Sequence, residues 1–211
     1  MVDEQLAARG IADPRVLAVM RRVPRHRFVP PELAANAYED RPLGIGHGQT
    51  ISQPYMVAYM TQELALQGGE RVLEVGTGSG YQAAVLAELG ARVYTIERLA
   101  PLAQAARTRL ESLGYSDIEY RVADGSEGWA EQAPFDRIIV TASAPAVPVA
   151  LASQVAEGGS LLVPVGDRER QDLMRMRREG GFMNRAKLCA VVFVKLVGRE
   201  GWGEPDPEEA R

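Results

Sequence analysis

Between Arg71 and Tyr81 a largely apolar strand, Arg71-Val72-Leu73-Glu74-Val75, runs into glycines at every second position: Gly76, Gly78 and Gly80. A strand that ends this way brings bare backbone against a bound group, because glycine has no Cβ to block the approach and tolerates positive φ. Spacing then narrows the choice of group. A dinucleotide fingerprint has its third glycine five positions after the first, whereas here Gly80 comes four after Gly76 and Tyr81 takes the fifth place. No Gly-Lys-Ser/Thr ending follows, which excludes a Walker-type phosphate loop. Glu74, two residues before Gly76, is a poor neighbour for pyrophosphate and a good one for an ammonium. An amino-acid-bearing nucleoside such as S-adenosylmethionine has that ammonium.

Two more carboxylates fall where such a ligand needs them. Glu97 closes the strand-like run 91–96, where it can accept two hydrogen bonds from a ribose diol. Asp124-Gly125 follows the run 118–122, where an Asp can accept a bond from an adenine amino group. Glu74, Glu97 and Asp124 are thus expected along the carboxyl edge of successive parallel strands, where open α/β sheets bind ligands. Gly76, Thr77, Gly78, Ser79, Gly80 and Gly125 complete the expected cofactor contacts.

A chain of 211 residues suits one sizeable core better than two independent domains. Lys and Arg total 24 against 28 Asp and Glu, so the basic field that drives sequence-independent nucleic-acid binding is missing and nucleic acid is not an expected partner. The single cysteine, Cys189, allows no internal disulfide and no cysteine metal site; it reads as a buried thiol in the reducing cytoplasm. No basic-then-apolar leader opens the chain, and the most apolar stretch, 138–156, is broken by Pro145, Pro148 and Gln154. Neither export nor membrane insertion is expected. No metal is expected either, and a monomer is the expected assembly.

About seventy residues precede the glycine loop, more than a βαβ unit needs. Short helices are predicted over 3–8 and 14–22, with Val16, Leu17 and Met20 as an apolar stripe. The basic cluster Arg21, Arg22, Arg25, His26 and Arg27 reads as a solvated face. A polar, glycine-rich loop over 42–54 then leads into a helix over 55–66, a setting for a binding loop. From Arg71 onward, predicted strands 71–75, 92–97 and 135–141 alternate with helices, two of them stopped by Gly90 and Gly114. That pattern predicts a doubly wound, mostly parallel α/β sheet. Segments 161–165, 173–177 and 190–196 come without long helices between them, and Glu179-Gly180-Gly181 is a turn signal, so antiparallel strands are expected to finish the sheet. One domain over 1–197 results, with N-terminal helices and a substrate loop in 1–70 and the cofactor-binding core in 71–197. The Gly-, Pro- and Glu-rich stretch 198–211 is expected to be a disordered, solvated tail.

Spacing leaves two readings for Ser52: an N-cap for the helix that begins near Pro54, or a hydroxyl presented to a ligand. His47, flanked by Gly46 and Gly48, either meets substrate or is simply exposed.

Taken together, the loop Gly48-Gln49-Thr50-Ile51-Ser52-Gln53-Pro54-Tyr55-Met56, the glycine loop from Leu73 to Tyr81, and the segments Ala133-Pro134-Phe135-Asp136 and Val163-Pro164-Val165-Gly166 resemble the bacterial protein-L-isoaspartate O-methyltransferases. The match runs from the N-terminal helices to about Leu196. The glycine loop alone marks only a class I methyltransferase; the Thr-Ile-Ser-x-Pro loop just before it makes the resemblance specific. The resemblance implies a Rossmann-like class I fold with S-adenosylmethionine as cofactor. It implies methylation of the free carboxylate of L-isoaspartyl residues in damaged proteins and peptides, the ester closing to a succinimide that partly reopens to L-aspartate. It further implies Ser52 as the active-site serine, with Thr50 beside it, and Glu74, Gly76, Glu97, Asp124 and Gly125 at the cofactor. The stretch from Ile45 to Ser52, including His47 and Ile51, is then expected to pair with an extended peptide as a strand does. This chain departs from the family in Ala123, where glycine is common before Asp-Gly, and in Val194-Lys195-Leu196, where Val-Pro-Leu is common.

A carboxylate with a pKa of ~4 is ionised at neutral pH and needs no general base. That suits a chain whose histidines are His26 and His47 alone. Catalysis is expected to come from orientation and removal of water. An amine N-methyltransferase is the nearest rival, but Thr141-Ala142-Ser143-Ala144-Pro145 stands where such enzymes carry Asn/Asp-Pro-Pro-aromatic. A non-catalytic relative is the other, disfavoured by the intact Thr50-Ile51-Ser52 loop.

Overall fold

The strand that leads into the glycine loop is an interior strand of the main sheet. In the computed structural model, which describes residues 1–203, β3 (Arg71–Val75) pairs in parallel with β4 (Arg92–Glu97) on one side and β6 (Phe135–Val140) on the other. β5 (Glu119–Val122), β7 (Val155–Gly166), β8 (Gln171–Glu179) and β9 (Phe182–Val191) extend the sheet to the order β5-β4-β3-β6-β7-β8-β9. β8 and β9 run antiparallel to their neighbours, as expected for the end of the chain. From β3 the chain builds outward to β5, then returns to the other side of β3 as β6. The order therefore reverses between β3 and β6, the place where doubly wound sheets open a crevice at their carboxyl edge.

Layers on both faces bury the sheet, and alternation along each strand supplies both cores. Val72, Val93, Ile139 and Leu162 face a layer made of α1 (Pro14–Arg22), α2 (Pro54–Leu64), α3 (Tyr81–Glu88) and the N-terminal turns. Leu73, Val75, Ile138, Val140 and Leu161 face the opposite layer, which includes α5 (Val149–Ser153). α1 has the span its sequence predicts: Asp13 caps it by accepting from Arg15 and Val16 backbone N–H, and Pro14 fills its first turn. α4 (Ala100–Ser112) packs so close behind the glycine loop that a Cβ on Gly80 would lie 2.9 Å from Leu110 Cδ1.

The last strand differs from expectation. Gly180 and Gly181, both at positive φ, form a tight turn that pairs Glu179 directly with Phe182, so β9 covers Phe182–Val191 rather than 190–196. Its outward residues Asn184, Arg185 and Lys187 hide a strand from hydropathy because β9 is the sheet edge and is largely wet.

The region expected as a tail also begins otherwise. Residues 198–203 fold back over the carboxyl edge, and 204–211 lie outside the described residues. Arg199 N–H donates to Asp124 Oδ2 at 2.7 Å, Trp202 Nε1–H to the Ser143 carbonyl at 2.9 Å, and Ala150 N–H to Glu200 Oε2 at 2.9 Å. One indole and several backbone groups fasten this strap, and such contacts leave no periodic signal in sequence. Asp124→Ala should therefore lower stability by about 1–3 kcal/mol in urea titration and speed tryptic cleavage after Arg199. An unchanged cleavage rate would show that the strap is held by other contacts.

Candidate active site

The loop before α2 is a hairpin, β1 (Leu43–Gly46) against β2 (Gln49–Ile51), closed by Gly46, His47 and Gly48, all at positive φ. It delivers Ser52 to the start of α2. Ser52 does not cap that helix. Asp40 does so from a distance, accepting from Tyr55 N–H at 2.8 Å and from Gln53 Nε2 at 3.2 Å. The Ser52 hydroxyl makes no hydrogen bond to the described residues, while its carbonyl accepts from Arg25 Nη2 at 2.7 Å.

Ser52 lines two cavities among the described residues, and a third meets them at Thr50 and Thr141. The largest, a groove of about 680 Å³, runs between Tyr55, Met56 and Tyr59 of α2 and the wall formed by Cys189–Val194, with Arg9 and Arg170 at its rim. A second cavity is lined by Glu74, Gly76–Ser79, Gln82 and Ser52. The third is lined by Gly78, Ile96, Glu97, Gly125 and residues 194–197. Thr50 and Thr141 line all three, so a molecule filling the two smaller cavities would present its midpoint to the groove there. Thr141 follows β6 at the switch point; its Oγ1 donates into the carbonyls of Val75 and Gly76, and a Cβ on Gly76 would lie 2.4 Å from it. Glycine at 76, with φ 97°, is thus required by both backbone and space.

Glu74 is completely buried. Its Oε2 accepts from Thr95 Oγ1 at 2.5 Å, Thr95 in turn lies 2.6 Å from Thr77 Oγ1, and Oε1 has no partner. Burial pushes the Glu74 carboxyl up to about 8, against the pull of the Thr95 bond and with added repulsion from Glu97. A buried, half-satisfied acid facing a cavity is a receptor for a cationic donor. Glu97 is fixed at the end of β4, Oε2 accepting from Gly78 N–H and Oε1 from Leu99 N–H, each at 3.0 Å, and it faces the third cavity.

Asp124 is placed differently from its neighbours in sequence. Oδ1 accepts from Ser126 N–H and Oγ, and Oδ2 from Arg199 N–H, while Gly125 rather than Asp124 lines the cavity. Burial raises the Asp124 carboxyl, but the bonds from Arg199 and Ser126 outweigh it and hold the group below the usual range. Its carboxylate serves the strap and the turn at 125–127. Close packing explains Gly125, where a Cβ would lie 2.5 Å from Val75 Cγ1.

The structure gathers Thr50, Ile51, Ser52, Glu74, Gly76, Thr77, Gly78 and Ser79 around one cavity, with Glu97 and Gly125 around the next. Gly80 caps α3 just behind them. Ile45 and His47 line a small cleft with Phe28, Pro101 and Arg109 on the other side of the glycine loop, where Ile45 packs against Gly78, and His47 is exposed at the hairpin tip. The stretch 43–51 is a two-stranded hairpin, and across the groove from α2 stand the end of β9 and the residues that follow it. Sequence reasoning missed Thr141, Asp40 and Arg25. Thr141 had a signal, as the residue after an apolar strand beside the glycine loop; Asp40 and Arg25 act across long separations and had none.

A raised Glu74 pKa gives the ligand-free protein a pH signature. Glu74 contributes stability that is fully present below about 4.5 and is lost as pH rises through about 8, because the folded state holds the proton longer. Unfolding measured from about pH 5 to 8.5 should show wild-type stability declining more steeply than that of Glu74→Gln. Parallel profiles would contradict the buried neutral acid.

Comparisons place these features in a family. Residues 1–201 match the model of the protein-L-isoaspartate(D-aspartate) O-methyltransferase family. Protein-L-isoaspartate O-methyltransferase 2 of Geotalea uraniireducens is 54% identical over 207 residues, 98% of this chain and 95% of that one. Protein-L-isoaspartate O-methyltransferase 1 of Syntrophobacter fumaroxidans is 56% identical over 202 residues, 96% of this chain and 94% of that one. Among solved structures, a putative protein-L-isoaspartate O-methyltransferase of Plasmodium falciparum in complex with S-adenosyl-L-homocysteine is 28% identical, with TM-score 0.81 over 93% of this chain and 96% of that one. On sequence and fold alike, this chain belongs to the protein-L-isoaspartate(D-aspartate) O-methyltransferase family.

Proposed function

We infer that the enzyme transfers a methyl group from S-adenosylmethionine to the free carboxylate of L-isoaspartyl residues in damaged proteins and peptides, the first step of their return to L-aspartate. The observation that carries this reading is the junction at Thr50, Ser52 and Thr141, where a peptide-sized groove meets two cavities suited to the two halves of the donor. The residues fit that donor: Glu74 Oε1 is a buried acceptor without a partner, and Glu97 stands at the strand end where a ribose diol binds. Glu74 would hold the ammonium, Glu97 the ribose, and Ile96, Gly125 and Leu196 would enclose the adenine. When bound, S-adenosylmethionine supplies an electrophilic methyl on a sulfonium.

The chain's own residues need only place the acceptor. An isoaspartyl carboxylate arrives ionised, so neither histidine has a proton to remove. We assign the Ser52 hydroxyl, free of any cap duty, and the Thr50 hydroxyl beside it to hold that carboxylate with one oxygen toward the junction. Orientation and exclusion of water then supply the rate. The peptide runs along the groove between Tyr55, Tyr59 and the end of β9, an edge strand that offers backbone rather than a sequence-specific pocket. Broad tolerance of neighbouring residues follows. We also take the enzyme to be a cytoplasmic monomer without nucleic-acid substrates; a net charge of −4 disfavours nucleic acid, and a free Cys189 suits a reducing compartment.

Methyl transfer to two peptides differing only in L-isoaspartate against L-aspartate tests the function: base-labile ester is expected on the first alone, and equal or no transfer would overturn it. Ser52→Ala should lower kcat about 10- to 100-fold with S-adenosylhomocysteine affinity nearly unchanged. A matching loss of that affinity would make Ser52 structural instead.

A further inference from the structure

Arg25 is a buried cation for which the methyl-transfer scheme has no use. It is 0% exposed, yet no carboxylate of the described residues forms an ion pair with it. Nε donates to the Ala37 carbonyl at 2.7 Å and Nη2 to the Ser52 carbonyl at 2.7 Å. The guanidinium carbon stands 4.9 Å from the centroid of the Tyr81 ring, and Nη1 has no partner. Burial lowers its pKa to about 10, which still leaves it charged at neutral pH. Burying a guanidinium with one donor unmatched is costly, and a methionine or leucine would fill the same space without that cost. The side chain must therefore do something an apolar one cannot.

Its contacts say what that is. Ala37 lies just ahead of Asp40, which caps α2; Ser52 is the residue that presents its hydroxyl to the junction; Tyr81 is the first residue of α3, immediately after the glycine loop. One guanidinium thus ties the acceptor-side loop to the donor-side loop. We propose that Arg25 is a positioning residue for methyl transfer: it locks the main chain of Ser52 so that the hydroxyl faces the junction, and it sets a positive charge beneath the place where the substrate carboxylate is held. The bond to the Ser52 carbonyl keeps that charge within one residue's span of the Ser52 hydroxyl. An anionic acceptor is thereby favoured over an amine at the same place. This proposal rests on the role assigned to Ser52.

A double-mutant cycle on the full chain tests it. Arg25→Met keeps bulk without charge or donors, and Arg25→Lys keeps charge with one compact donor group. In protein counted by its S-adenosylhomocysteine-binding sites, Arg25→Met should lower kcat/KM for the isoaspartyl peptide about 10- to 100-fold. Arg25→Lys should recover part of that loss, and cofactor affinity should stay near wild type. On a Ser52→Ala background the Arg25 substitution should cost far less, because both act on one contact. Wild-type kcat/KM per binding site in both Arg25 variants would overturn the proposal, as would full multiplication of the two losses. If Arg25→Met does not fold, the same cycle with Arg25→Lys decides. If Ser52→Ala by itself keeps wild-type kcat/KM, the role of Ser52 falls, and this proposal with it.

Discussion

A carboxyl group with no cation sits near the carboxyl end of β3, and much of the site answers to it. Glu74 is enclosed by the sheet and by the α2–α3 layer, tied only to Thr95, with Oε1 left unmatched. In the ligand-free protein it stays protonated because burial penalises the charge. An ammonium brought into the cavity reverses that balance. The glycines serve the same end: Gly76 gives way to Thr141, Gly80 to Leu110, and the backbone between them can close around a ligand instead of being held off by side chains.

On the acceptor side the governing constraint is freedom rather than burial. Ser52 precedes Pro54 at a helix start, where a serine hydroxyl is ordinarily spent on capping. Here Asp40 takes over that duty from outside the helix, and the hydroxyl remains available where the groove meets the Glu74 cavity. Arg25 and Asp40 support the stretch 52–55 at its two ends, one through the Ser52 carbonyl and the other through the Tyr55 amide. The reaction asks for no proton transfer at its start, and the groove supplies no histidine.

What could be read from sequence was what is local. Glycine spacing, the place of Glu74 and Glu97 at strand ends, and the run of alternating strands and helices all follow from short-range pattern, and the structure has them where expected. Asp124 shows the limit. Its position at a strand end was legible, but its partner Arg199 lies 75 residues away, so its carboxylate could not be foreseen as the anchor of a strap. Arg25 shows the same limit in reverse: composition sees one basic cluster, whereas packing exposes Arg21 and Arg22 and buries Arg25 against Tyr81. β9 was misplaced because an edge strand need not be apolar.

On the assignment proposed above, the ammonium of the donor meets a Glu74 that ionises only when it arrives. Calorimetry of S-adenosylhomocysteine binding in two buffers of different ionisation enthalpy, at a pH well below the Glu74 value of about 8, measures this directly. Release of about one proton per ligand bound is expected, absent in Glu74→Gln. Binding enthalpy independent of the buffer in the wild-type protein would contradict it.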